Sequence, residues 1–215
     1  MTGGHKDLID RLVSELQPVS PRAVERGLLT SLGIGLMGAA ALMLFVLGPR
    51  QDWAAMIGSV AFQAKLVYAA VLTLTALAAL RRLARPVARA PLARRVLPII
   101  LGLTGVIAIA ALIHAPPEDR RGLLMGSTAL VCPFLIALLA APILAMLLAA
   151  LRRLAPTRPT QAGAAAGLLA GAGAAFVYSF HCPESGLPFV ALWYNAGILL
   201  CSAVGAALGR HMLRW

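Results

Sequence analysis

The stretch Gly122–Leu151, GLLMGSTALVCPFLIALLAAPILAMLLAAL, runs for thirty residues without a charge. At 1.5 Å per residue it would form a helix about 45 Å long, against a bilayer hydrocarbon core of ~30 Å. Arg152 and Arg153 follow at once and pin one end of the run at a membrane surface. Counting ~20 residues back from that pin reaches Cys132. The expectation is that Cys132 sits near the opposite boundary, with Gly122–Val131 tilted or lying outside it. Pro133 comes next, and a kink is expected there because proline removes a helical hydrogen bond.

Five further runs are long and apolar enough to span: Gly27–Leu47, Phe62–Leu80, Val96–Ile113, Gln161–Phe180 and Leu187–Leu208. Composition agrees. The chain is 60% hydrophobic and 13% charged, with a mean hydropathy of +0.85, where a soluble domain is ~45–50% apolar and ~25% charged. The predicted fold class is all-α: a polytopic integral membrane bundle of about six transmembrane helices, preceded by a short cytoplasmic amphipathic helix. No Asp, Glu or Arg lies inside the runs, and Lys65, near a run's end, is expected to snorkel to the surface. The other intramembrane polar residues are mild: Thr73, Thr75, Thr104, Ser127, Thr128, Tyr178, Asn195 and Ser202. That argues against a proton-coupled transporter, which needs ionisable stations in the bundle.

The net charge is +11, but its placement speaks of orientation rather than nucleic acid. With the N-terminus inside, fifteen cations fall on inside segments and four (Arg50, Lys65, Arg120 and Arg121) on outside ones. By the positive-inside rule both termini are cytoplasmic, in a bacterial inner membrane. The Arg81–Arg95 loop would attract anionic lipid heads. Direct nucleic-acid binding is not expected. The N-terminal stretch lacks a signal-peptide pattern, so the first run is expected to stay as an anchor.

Residues 1–26 differ from the rest and carry four of the eight acidic residues. Leu8, Ile9, Leu12, Val13 and Leu16 fall on one helical face, with Asp7, Asp10, Arg11 and Glu15 on the other. Pro18 ends this helix, and Ser20-Pro21 reads as the start of the next. A helix of about 12 residues is marginal alone in water. Its apolar face calls for the bilayer surface, the protein's own loops, or another protein.

Small residues repeat every fourth position in the fifth span (Gly163, Gly167, Gly171, Ala175) and in the sixth (Gly197, Cys201, Gly205, Gly209). Such stripes allow close backbone approach, within the chain or in a homodimer. Of the three cysteines, Cys132 and Cys182 are expected at similar depth on the oxidising outer side. Cys201 lies about 20 Å along its helix and is expected to be a packing residue. An outer pair admits a disulfide, a reversible redox pair or a soft-metal site, with His181, Glu184 and His114 on the same face. Trp193, Tyr194 and Trp215 suit interfacial anchoring or packing. There is no Cys-x-x-Cys, phosphate loop, nucleophile elbow or zinc-protease motif. The chain is therefore not expected to be an enzyme or to need a cofactor. The residues alone also admit a small-solute or metal transporter or channel with cysteine ligands.

Several blocks together resemble a known family. They are Asp7-Leu8-Ile9-x-x-Leu12-Val13-x-x-Leu16 with Pro18-Val19, then Cys132-Pro133, then Tyr178-x-x-His181-Cys182-Pro183-Glu184, then Trp193-Tyr194 and the terminal Leu213-Arg214-Trp215. The chain resembles, over its whole length, the DUF1109 family of negative regulators of sigma F. The resemblance implies a membrane-bound anti-sigma factor that holds an extracytoplasmic-function sigma factor at the inner face. It implies release on redox or heavy-metal stress, sensed by the cysteine pair, here Cys132 and Cys182. His181 and Glu184 would be accessory metal or redox residues. It divides the chain into a cytoplasmic sigma-binding segment, residues 1–26, and a six-helix sensor domain, residues 27–215. Asp7, Leu8, Ile9, Leu12, Val13 and Leu16 would be the sigma-binding residues, by helix-in-groove docking.

Overall fold

The computed structural model describes residues 14, 21–48, 50, 52–84 and 91–214. Of the predicted N-terminal amphipathic helix only Ser14, which is helical, is among the described residues; its six sigma-binding residues lie outside them. Everything regular among the described residues is helical. Helix α1 (Pro21–Leu42) ends in a π-helical turn, Met43–Leu47. A short α2 (Trp53–Ile57) precedes α3 (Val60–Leu83), α4 (Pro91–His114) and α5 (Pro117–Met125). Then come α6 (Cys132–Arg152), α7 (Pro159–Tyr178) and α8 (Leu187–Met212), the last carrying a π-helical turn at Val190–Tyr194. Six of these helices, α1, α3, α4, α6, α7 and α8, are long and apolar enough to cross a membrane. The chain is a multi-pass membrane protein.

The long run divides as expected. Its first part is α5, which opens with Pro117 and the acidic pair Glu118–Asp119, a favourable charge at a helix N-terminus. A turn follows, and α6 starts at Cys132. Pro133 does not kink the helix. It sits in the first turn of α6, where its missing N–H leaves no bond unmade, so proline here starts a helix instead of bending one.

Helix α7 is the centre of the bundle. Every residue from Leu169 to Ala175 is buried. It packs along α8, α3 and α6, while α1 lies on α6. Helix α4 is peripheral: it touches α3 and the beginning of α8, and presents Ile99, Leu103, Val106, Ile109 and Ile113 outward. In lipid, burying apolar surface drives helices together weakly, so close packing must hold the bundle. The two small-residue stripes supply it within the chain. A Cβ at Gly209 would stand 2.7 Å from the Gly163 Cα, and one at Gly205 would stand 2.8 Å from the Gly167 Cα. Gly171 faces Ile198 and Cys201, whereas Gly197 turns away to Pro133 and Ile136 of α6. Cys201 is buried in this seam, the packing place expected for it.

The threonine hydroxyls of α3 and α4 are spent locally. Thr73 donates to Ala69 O at 2.7 Å, Thr75 to Val71 O at 2.7 Å, and Thr104 to Ile100 O at 3.0 Å. These bonds satisfy polar groups that lipid would leave unpaired.

Candidate functional site

The α7–α8 connection, residues 179–186, folds back over one end of the bundle. Its hydrogen bonds show why it holds its shape. Tyr178 O accepts from His181 N and from Cys182 N, both at 2.9 Å, closing a turn directly after the helix. His181 Nδ1 lies 2.8 Å from Gly48 O, just past the π turn of α1. Arg50 Nη1 donates to Pro183 O at 3.2 Å, and the same guanidinium forms a two-point ion pair with Asp52. The Glu184 carboxylate crosses to the α5–α6 turn, where Oε1 accepts from Ser127 N at 2.8 Å and from Ser127 Oγ at 2.9 Å. Gly126 makes that approach feasible: its φ is +50°, and a Cβ there would stand 2.5 Å from the Glu184 carboxyl carbon. Trp193 Nε1 donates to Leu124 O at 2.8 Å and ties α8 to α5.

Under this loop lie the two cysteines that the sequence places 50 positions apart. Cys132 opens α6 and Cys182 hangs from the loop, and both are fully enclosed. All three cysteines of the chain are free thiols. The Cys182 Sγ lies 3.9 Å from Thr128 Oγ1 and 3.9 Å from Glu184 O. Tyr178, from the end of α7, and Tyr194, from the π turn of α8, face each other with ring centroids 5.9 Å apart. Both hydroxyls are within electrostatic reach of both thiols. The Tyr178 hydroxyl neighbours both thiols and Thr128, and the Tyr194 hydroxyl neighbours Cys182 and Ser179.

Lys65 completes the pocket, and here the sequence expectation is corrected. It does not snorkel. Its side chain is 2% exposed. The ammonium donates to Cys182 O at 3.1 Å and Glu184 O at 2.8 Å, and stands 5.6 Å from the Phe62 ring centroid and 5.7 Å from that of Tyr194. The backbone carbonyls and ring faces take the place of water because the folded loop covers the route to the surface. Periodicity gave no hint of this; a lone lysine inside a span was the available signal.

Of the other candidates, Glu184 and His181 reach the loop but are engaged with Ser127 and Gly48. His114 is exposed at the end of α4. No group of three His, Cys, Asp or Glu residues among the described residues stands ready to hold a metal ion. The site can therefore offer two thiols, two hydroxyls and one ammonium, buried together beneath one face.

Six spans capped by a loop over a buried thiol pair define a multi-pass membrane protein with an enclosed thiol site. No solved structure matches the chain. The family model described as "Negative regulator of sigma F" matches residues 12–215, and the chain belongs to that family. A probable anti-sigma-F factor NrsF of Azospira oryzae is 44% identical, over 98% of this chain and 99% of its own length. The anti-sigma-F factor NrsF of Caulobacter vibrioides is 36% identical, over 97% and 98%.

Proposed function

We propose that this chain is an inner-membrane anti-sigma factor with both termini in the cytoplasm. It sequesters a sigma factor of the extracytoplasmic-function class through residues 1–26 and releases it when Cys132 and Cys182 react at the periplasmic side. The family membership and the names of both relatives support the anti-sigma role. The observation that carries the sensor role is the pocket: two thiols from distant segments are enclosed together under a loop held by Arg50, Lys65 and Ser127. A packing thiol does not need a buried ammonium and two tyrosine hydroxyls gathered beside it. Oxidants and thiol-binding heavy metals are the two chemical classes such thiols answer to.

On this reading the apolar face of the N-terminal helix docks in a groove of the sigma factor, with Leu8, Ile9, Leu12, Val13 and Leu16 as anchors and Asp7 meeting a basic surface. Reaction of the thiols favours a second arrangement of the bundle with lower affinity for the partner; differing affinity between two arrangements is the only way a ligand-like event can release it. Co-purification of the cognate sigma factor with the full chain, and with residues 1–26 removed, tests the first half. Binding that is lost on truncation is the expected result; binding that survives it would move the contact elsewhere. Cys132→Ser and Cys182→Ser test the second half: each should retain the sigma factor under stress that releases it from the unmutated protein.

A further inference from the structure

We propose that Lys65 is the tether through which the thiol loop acts on helix α3, and that α3 delivers the signal to the start of α1 at the opposite membrane face. The proposal rests on the sensor reading above and names its transmission route.

Three observations carry it. First, Lys65 is the one charge in the interior of the described spans, and among the described residues no carboxylate pairs with it. An ammonium withdrawn from water and lipid is costly, and such residues are functional by default. Second, its two hydrogen bonds go to main-chain carbonyls on either side of Pro183, not to side chains. The bond therefore follows the position of the loop backbone that carries Cys182. A reaction at the Cys182 sulfur that displaces this backbone must pull on Lys65 or break from it. Third, α3 runs without proline or glycine from Val60 to Leu83. From Lys65 to Arg81 is about 24 Å along its axis. There Arg81 Nη1 donates to Glu25 Oε1 of α1 at 3.1 Å. Glu25 belongs to the segment proposed to hold the sigma factor.

The other helices at the loop are joined differently. Helices α7 and α8 meet backbone to backbone along their glycines. Helix α3 holds the loop by a side chain, and its far contact is a partly exposed ion pair. Such pairs add little stability and are easily exchanged. Between these ends α3 packs along α7, so the route requires two discrete arrangements of α3 against that helix.

The test uses the full chain co-purified with its sigma factor, treated with phenylmercuric acetate. At each thiol a sulfur–mercury bond forms, acetate leaves and the thiol proton goes to solvent. Intact mass reports modification, and sigma retained on the protein reports release. Lys65→Met should be modified as fully as the unmutated protein yet release about tenfold less sigma factor, with Lys65→Arg recovering part of the response. Glu25→Arg and Arg81→Glu should each weaken release, and the two together should restore it. A Lys65→Met protein that is modified and releases like the unmutated one overturns the tether while leaving the sensor reading intact. Unmutated protein that is modified but keeps its partner overturns the sensor reading, and the tether with it. If Lys65→Met does not fold, the Glu25–Arg81 exchange decides: failure of the double variant to recover release rejects the route.

Discussion

Gly126 and Glu184 show how much of the site rests on single residues. Gly126 takes φ +50° under the Glu184 carboxylate, so Gly126→Ala meets both backbone strain and a clash. It should destabilise the loop by about 1–3 kcal/mol and raise backbone amide exchange over residues 181–186. Gly102 is the control: nothing lies within 4 Å of a Cβ there, and Gly102→Ala should leave the melting temperature unchanged. Arg50 carries a pH signature. Its hydrogen bonds, with charge attraction adding to them, hold the Asp52 carboxyl below the ordinary carboxylate range. A depressed carboxyl stabilises the fold at neutral pH and loses that contribution as pH falls through its folded value. Thermal stability should therefore lose a component on acidification below the ordinary carboxylate range, and Asp52→Asn should remove that component. Cys132 and Cys182 are legible as a candidate pair from their common depth; the two tyrosines and the lysine gathered around them are not. Lys65 was misread because span counting supplies an end and a reach, but not the loop that closes over it.

Among the elements, the α7–α8 seam decides whether a bundle forms at all. Gly167 and Gly205 meet backbone atoms, not the far ends of flexible side chains, so nothing can yield to a larger residue. Gly167→Leu should separate the helices and cost about 1–3 kcal/mol or more, read as loss of monodisperse protein in detergent. The stripes were legible at four-residue spacing, but the sequence left open whether they served one chain or two. The structure uses them inside the chain, Gly163, Gly167, Gly171, Gly205 and Gly209 in the α7–α8 seam and Gly197 against α6. The start of α6 at Cys132 follows from the run's length and the Arg152–Arg153 pin; the separate helix α5, which begins before the run at Pro117, does not. Nor does the role of Pro133, because proline at the start of a helix and proline within one look alike until the boundary is known.

For the molecule as a whole, hydropathy gives the number of spans directly, since each must satisfy its backbone internally. The charge asymmetry adds an orientation that can be measured. In a background lacking Cys132, Cys182 and Cys201, Glu118→Cys should react with a membrane-impermeant maleimide in intact cells, and Thr157→Cys only after permeabilisation. The reverse pattern would invert the orientation. Packing around α7 was also partly foreshadowed, by its glycine and alanine content. Which helix would stand at the rim was not, since α4 is as apolar as any other span.

The π-helical turns at Met43–Leu47 and Val190–Tyr194 each sit where a span approaches the thiol loop. Each such turn accommodates one residue more than a regular α-helix of the same rise. Removing a single residue from Val190–Tyr194 would restore the regular winding. It would also turn the side chains of the widened turn itself to new directions, while the helix on either side kept its phase. Tyr194 and the glycines of α8 could then no longer face the pocket and the seam together. The extra residue thus lets one helix keep two appointments on different sides, and relatives of this chain should tolerate substitution in that turn far better than a change of its length.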